Sequence, residues 1–123
     1  MSNGTVLVLT THPVIGAFLG MLVELTGCRP VFPDAGEEPG DAILRLWPAL
    51  VLLDCDHDAA RGDEAFQLAA AIGGVVLLFS SRRRQVEADS LAVQHEVKAF
   101  VLPIEYRAFH DLLSGTLATS RAG

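Results

Sequence analysis

Apolar residues in this chain gather into short runs with polar punctuation between them. Three runs are nearly uninterrupted: TVLVL (Thr5–Leu9), ALVLL (Ala49–Leu53) and VVLLF (Val75–Phe79). Runs of this length, rich in Val and Leu, predict strands buried on both faces of a parallel sheet. Two weaker strands are expected, one within CRPVFP (residues 28–33) and one over Ala99–Leu102. Pro30 suits the first of these to a sheet edge, where its missing N–H is not needed.

Between the strands the pattern turns helical. Pro13 suits a first helical turn, and Gly27 a stop, for a helix over about Pro13–Thr26. AILRLW, with Asp41 as its cap and Pro48 closing it, predicts a short second helix. DEAFQLAAAI (Asp63–Ile72) is the third, halted by Gly73 and Gly74. A fourth contains Arg82–Val97, with Ser80 or Ser81 as its cap, and a fifth covers Tyr106–Ala118 before a frayed tail at 120–123. Five strands alternating with five helices predict an α/β fold, a single doubly wound five-stranded parallel sheet. The expected order is 2-1-3-4-5, flavodoxin-like, with helices on both faces and strands 1, 3 and 4 central.

The first helix carries more apolar surface than a sheet needs. Ile15, Phe18, Leu19, Leu22 and Leu25 form the expected inward stripe. Val14, Ala17, Met21 and Val23 are left over and mark a candidate subunit or partner contact, with Met21 at its centre.

Composition narrows the class. Half of the 123 residues are hydrophobic and 20% are charged, which fits one folded domain spanning 1–123. The formal net charge of -6 argues against direct nucleic-acid binding. Cys28 and Cys55 form no C-x-x-C pair or zinc motif, and reduced, buried cysteines are expected. The N-terminus lacks the basic and apolar regions of a signal peptide, and the most apolar stretch, Val14–Leu25, is too short to span a bilayer. A cytoplasmic protein without membrane attachment is therefore expected.

Candidate chemistry lies in the ten residues ALVLLDCDHD. In open α/β sheets, sites form at the carboxyl ends of strands, which puts Asp54 at the functional edge. Asp56, His57 and Asp58 follow it. With His12 and Asp54 they would make a carboxylate–imidazole set suited to zinc, manganese or iron, although the spacing matches no known metal motif. THPVIG lacks a glycine-rich phosphate loop, which weighs against a flavodoxin-like small-molecule binder. Ser80 or Ser81 with His12 or His57 lacks the nucleophile elbow of a hydrolase.

Taken together these stretches resemble the receiver domain of two-component response regulators, over nearly the whole chain. PALVLLDCD resembles the family's third strand, with Asp54 at the phosphoacceptor position. VLVLTTHP resembles the first strand, with Thr10 and Thr11 where the family carries an acidic pair. VVLLFSS resembles the fourth strand, with Ser80 at the switch position. AFVLPIEYRAF resembles the fifth, with Leu102 where a lysine precedes the proline, and with Phe100 a candidate for the aromatic position. The intervals of 44 from Thr10 to Asp54 and 22 from Ser80 to Leu102 match the family's spacing; the 26 from Asp54 to Ser80 is a few residues short.

The resemblance implies self-phosphorylation of the aspartate with magnesium neutralising the phosphoryl oxygens. Magnesium needs hard, charged oxygen ligands. With Thr10, Thr11 and Leu102 at the charged positions, magnesium binding is expected to be weak or absent, with Asp54 and Asp56 its remaining ligand candidates. The expectation is a stand-alone CheY-like pseudo-receiver. It acts through protein partners, is dimeric through the first helix or the face of the last two helices and strand 5, and has no catalytic residues. The alternative is an atypical receiver still phosphorylated at Asp54. Arg82, Arg83 and Arg84 form a candidate docking patch for an acidic partner; following Ser80 closely, they are within reach of the site, but not at the place of the missing lysine.

Overall fold

The computed structural model describes residues 4–122, with side chains through residue 118. Five strands and five helices alternate: β1 (Thr5–Leu9), α1 (Pro13–Leu25), β2 (Arg29–Val31), α2 (Pro39–Leu46), β3 (Leu50–Asp54), α3 (Glu64–Ala71), β4 (Val75–Ser81), α4 (Gln85–His95), β5 (Lys98–Leu102) and α5 (Tyr106–Ala122). Single 3₁₀ turns at Asp58–Arg61 and Arg82–Arg84 precede α3 and α4. The strands form one parallel sheet in the order β2-β1-β3-β4-β5.

Alternation along each central strand divides the core in two. Val6, Val8, Leu50, Leu52, Leu77 and Phe79 face α1 and α5, where Leu19, Leu22, Val23, Phe109 and Leu113 cover them. Leu7, Leu9, Val51, Leu53, Val76 and Leu78 face α2, α3 and α4, packing on Ala42, Ile43, Ala65, Phe66, Ala69 and Ala92. Both faces of β1, β3 and β4 are thus dry, which is why these strands read as unbroken apolar runs. On β5, Phe100 is buried between Phe79 and Phe109, the rings 5.8 and 5.9 Å apart.

Several local expectations are corrected. On α1 the inward residues are Gly16, Leu19, Gly20, Leu22 and Val23, while Phe18 and Leu25 turn outward. Val23 packs on the sheet beside Leu19 and Leu22, and on the same side Gly16 and Gly20 let the loop after β2 lie close, a Cβ at Gly20 meeting the Phe32 ring at 3.1 Å. Helix α2 starts at Pro39, not at an Asp41 cap, because proline takes the first helical position and Asp41 falls in the first turn. Ser80 and Ser81 belong to β4, extended by pairing with β5, and Ser81 makes no side-chain cap. Helix α4 is correspondingly shorter, and α5 longer, than the sequence suggested. The tail at 120–123, expected to fray, reaches the edge of the described residues, with Gly123 outside them.

Candidate functional site at the carboxyl edge of the sheet

Parallel strands place their carboxyl ends together, and here that edge collects Asp54 from β3, Thr10 after β1 and Leu102 from β5. His12, Ile15, Asp54, Asp56, Phe79, Ser81 and Leu102 line a cleft of about 230 Å³. Asp54 is only 4% exposed. A buried carboxylate needs donors, and it has two. The Thr10 hydroxyl donates to Oδ2 at 2.7 Å, and the Asp56 backbone N–H donates to Oδ1 at 2.9 Å. Thr10 Oγ1 in turn accepts from the His12 N–H at 3.2 Å. A threonine thus contributes a neutral donor to Asp54 from the position where an acidic side chain is expected. Thr11 is exposed.

The next carboxylate has a cationic partner. Arg84, on the 3₁₀ turn after β4, places Nη1 3.3 Å from Asp56 Oδ1, while its Nη2 bonds to Glu87. The Glu87 hydrogen bond first, and then the Asp56 charge, hold the Arg84 guanidinium pKa above its ordinary value. Its Nε is buried without an acceptor among the described residues. Of the arginine triplet, which follows Ser80 closely enough to reach the site, Arg84 does so. The turn delivers it to the rim, while Arg82 and Arg83 stay exposed. The sequence offered carboxylates for Arg84, Asp56 after β3 and Glu87 in the first turn of α4, but these segments meet only once β3 and β4 are paired. Without that register, the contact could not be read.

Ser80 and Ser81 differ in placement. Asp54 pairs with Phe79, so the next residue on that face of β4 is Ser81, which lines the cleft level with Leu102. The Ser80 Oγ is buried, with no hydrogen-bond partner among the described residues. Cys55 is buried beside the carboxylates. Burial chiefly, then Asp56 and Asp54, pushes its thiol up to about 11, so at neutral pH it is a poor nucleophile.

The five-residue metal set does not assemble. His12, Asp54 and Asp56 share the cleft, but His57 and Asp58 turn to a separate hollow with Glu38 and Glu64. The cause is local: His57 Nδ1 caps the 3₁₀ turn by accepting from the Ala59 N–H at 3.0 Å. Ligand atoms of Asp54, Cys55 and Asp56 do converge within 4.8 Å. That set does not fit magnesium. One member is a soft thiol, neutral Thr10 rather than a second carboxylate stands beside Asp54, and Asp56 is ion-paired with Arg84.

Comparison with known proteins agrees with the architecture. No protein-family model matches the sequence, and no curated protein matches it. Solved structures do. The signal receiver domain of a modulated diguanylate cyclase from Desulfovibrio desulfuricans G20 superposes with a TM-score of 0.77 at 21% identity, covering 97% of each chain. The signal receiver domain of a putative Luxo repressor protein from Vibrio parahaemolyticus gives 0.77 at 16% identity, covering 97% of this chain and 93% of that one. The receiver domain of the sensor histidine kinase PA1611 from Pseudomonas aeruginosa PAO1, which has a magnesium ion coordinated in its active-site cleft, gives 0.74 at 14% identity, covering 95% and 99%. The fold of this chain is that of the response-regulator receiver domains, CheY-like in strand order and in the layering of its helices. None of its described helices is long and apolar enough to cross a membrane.

Proposed function

We propose that this chain is a receiver-like signalling module that works by protein contact, with Asp54 retained but poorly phosphorylated. The observation that carries the reading is the state of Asp54. It stands at the carboxyl end of β3, where the resemblance puts the phosphoacceptor, and a threonine hydroxyl and a backbone N–H hold its two oxygens. Phosphoryl transfer is accelerated mainly by neutralising charge in place. The cleft offers neutral Thr10 and apolar Leu102 where the resemblance calls for carboxylates and a lysine. Losing one such group typically costs about 3 kcal/mol of barrier, roughly a hundredfold or more in rate.

Contact surfaces support the other half of the proposal. Val14, Phe18, Met21 and Leu25 are exposed at spacings of four, three and four on α1, a continuous outward seam, and Met21 is 50% exposed. A cytoplasmic homodimer through this seam is the arrangement we favour, over the α4–β5–α5 face, where the exposed large apolar side chains among the described residues are Val86, Val93 and Tyr106. Intact-mass analysis after incubation with acetyl phosphate and magnesium tests the chemistry. The reading expects little or no adduct, and a stoichiometric adduct absent from Asp54→Asn would overturn it in favour of an atypical phosphorylated receiver.

A further inference from the structure

Receiver folds imply a divalent cation at this edge, and the donor set here does not fit one. The cleft nevertheless has a cation. Arg84 sits 3.3 Å from Asp56 Oδ1 and binds Glu87 at the start of α4 with its other terminal nitrogen. One guanidinium thus joins the loop after β3 to the first turn of α4. Asp56 is the carboxylate beside Asp54 that could reach a metal, and it donates its own N–H to Asp54 Oδ1 at 2.9 Å, so whatever holds Asp56 also positions the donor of Asp54.

We propose that Arg84 is the resident cation of this cleft: its guanidinium occupies Asp56, excludes a divalent ion, and ties the start of α4 to the end of β3. Arginine suits the role because its fork serves two carboxylates at once, and because it stays charged at any working pH. A metal entering the cleft must displace a tethered guanidinium from Asp56 and meet its positive charge at short range. Arg84 is a positioning residue here. It acts through Asp56 and leaves the phosphoacceptor untouched. The inference rests on the receiver-like reading only in taking the Asp54–Asp56 edge as the place where a cation belongs.

The test is Mn²⁺ titration of the full chain at neutral pH, followed by electron paramagnetic resonance of the free ion, so that no phosphorylation is involved. Wild type and Arg84→Lys, which keep the charge, should bind Mn²⁺ weakly and alike. Arg84→Gln and Arg84→Met should bind it about tenfold more tightly or better. Adding Asp56→Asn to Arg84→Gln should abolish the gain. Amides of Arg82–Glu87 should also exchange faster in Arg84→Gln, since the tie to Asp56 is cut. Circular dichroism establishes that each variant is folded, and the Met variant, which keeps the aliphatic stem, stands in if the Gln variant is not. Affinity in both charge-removing variants within twofold of wild type, or a gain that survives Asp56→Asn, overturns the proposal. Either result leaves the acetyl phosphate assay of Asp54 to be judged separately.

Discussion

Replacing Thr10 with valine removes one hydroxyl and almost no volume; it cuts the bond that holds Asp54 and, with it, the exposed 3.2 Å contact from the His12 N–H, which water can replace. In the native chain that hydroxyl donates to Asp54 Oδ2 at 2.7 Å, and Asp54 is 4% exposed, so water has little access to replace it. A hydrogen bond to a charged acceptor contributes about 1.5–3 kcal/mol, and stranding its buried partner costs a similar amount. Thr10→Val should therefore lower unfolding free energy by about 2 kcal/mol, which for a chain of this size lowers Tm by roughly 6–12 °C. The loss belongs to the pair. In the Asp54→Ala background the same substitution should cost less than about 0.5 kcal/mol, because no acceptor remains, giving a coupling energy of about 1.5 kcal/mol or more. Urea unfolding followed by circular dichroism, on the four members of the cycle, provides both numbers. An equal loss in the two backgrounds would mean that Thr10 acts through packing. No loss in either would mean that Asp54 is satisfied without it, and the account of a neutralised site would fail.

Other expectations are simpler to check. Gly74→Ala should destabilise the fold, since its Cβ would lie 2.7 Å from the Pro48 carbonyl oxygen, whereas Gly20→Ala should be near neutral because the half-exposed Phe32 ring can give way; thermal melts separate the two. Met21→Asp should shift a homodimer toward monomer in sedimentation without lowering Tm, because the side chain is half exposed and outside the core; an unchanged dimer would move the interface off α1. The Glu37 carboxyl is held at about 2 by the Arg45 guanidinium at 2.8 Å and by the Asp34 N–H. A depressed carboxylate stabilises the folded state above its unfolded value of 4.5, and that contribution is lost as pH falls toward 2. Arg45→Gln should flatten the stability–pH curve in that window, and a curve unchanged by the substitution would refute the pairing.

Fold legibility followed burial. β1, β3 and β4 are covered on both faces, so apart from Thr5, Asp54, Ser80 and Ser81 at their ends they carry only apolar side chains, and their order followed from the alternation with helices. Helix α1 was harder to read. Its apolar residues surround the axis, so spacing alone does not say which side meets the sheet, and two of the buried positions, Gly16 and Gly20, carry no apolar side chain to signal it. At the site, Asp54 could be located because a strand end fixes it. Thr10 as its donor, Ser81 rather than Ser80 beside Leu102, and Arg84 on Asp56 depend on register between strands and on the path of a 3₁₀ turn. His57 could be misread as a metal ligand because its capping bond to Ala59 is a tertiary detail of the loop.

The central claim is that the receiver fold is intact here and only the charges of its chemistry are missing. A single comparison tests it most directly: intact-mass analysis, after acetyl phosphate and magnesium, of wild type beside the variant carrying Thr10→Asp, Thr11→Asp and Leu102→Lys. The account predicts no appreciable adduct on wild type and an adduct on the variant that disappears when Asp54→Asn is added. A stoichiometric adduct on wild type, or a folded variant that acquires none, would contradict it.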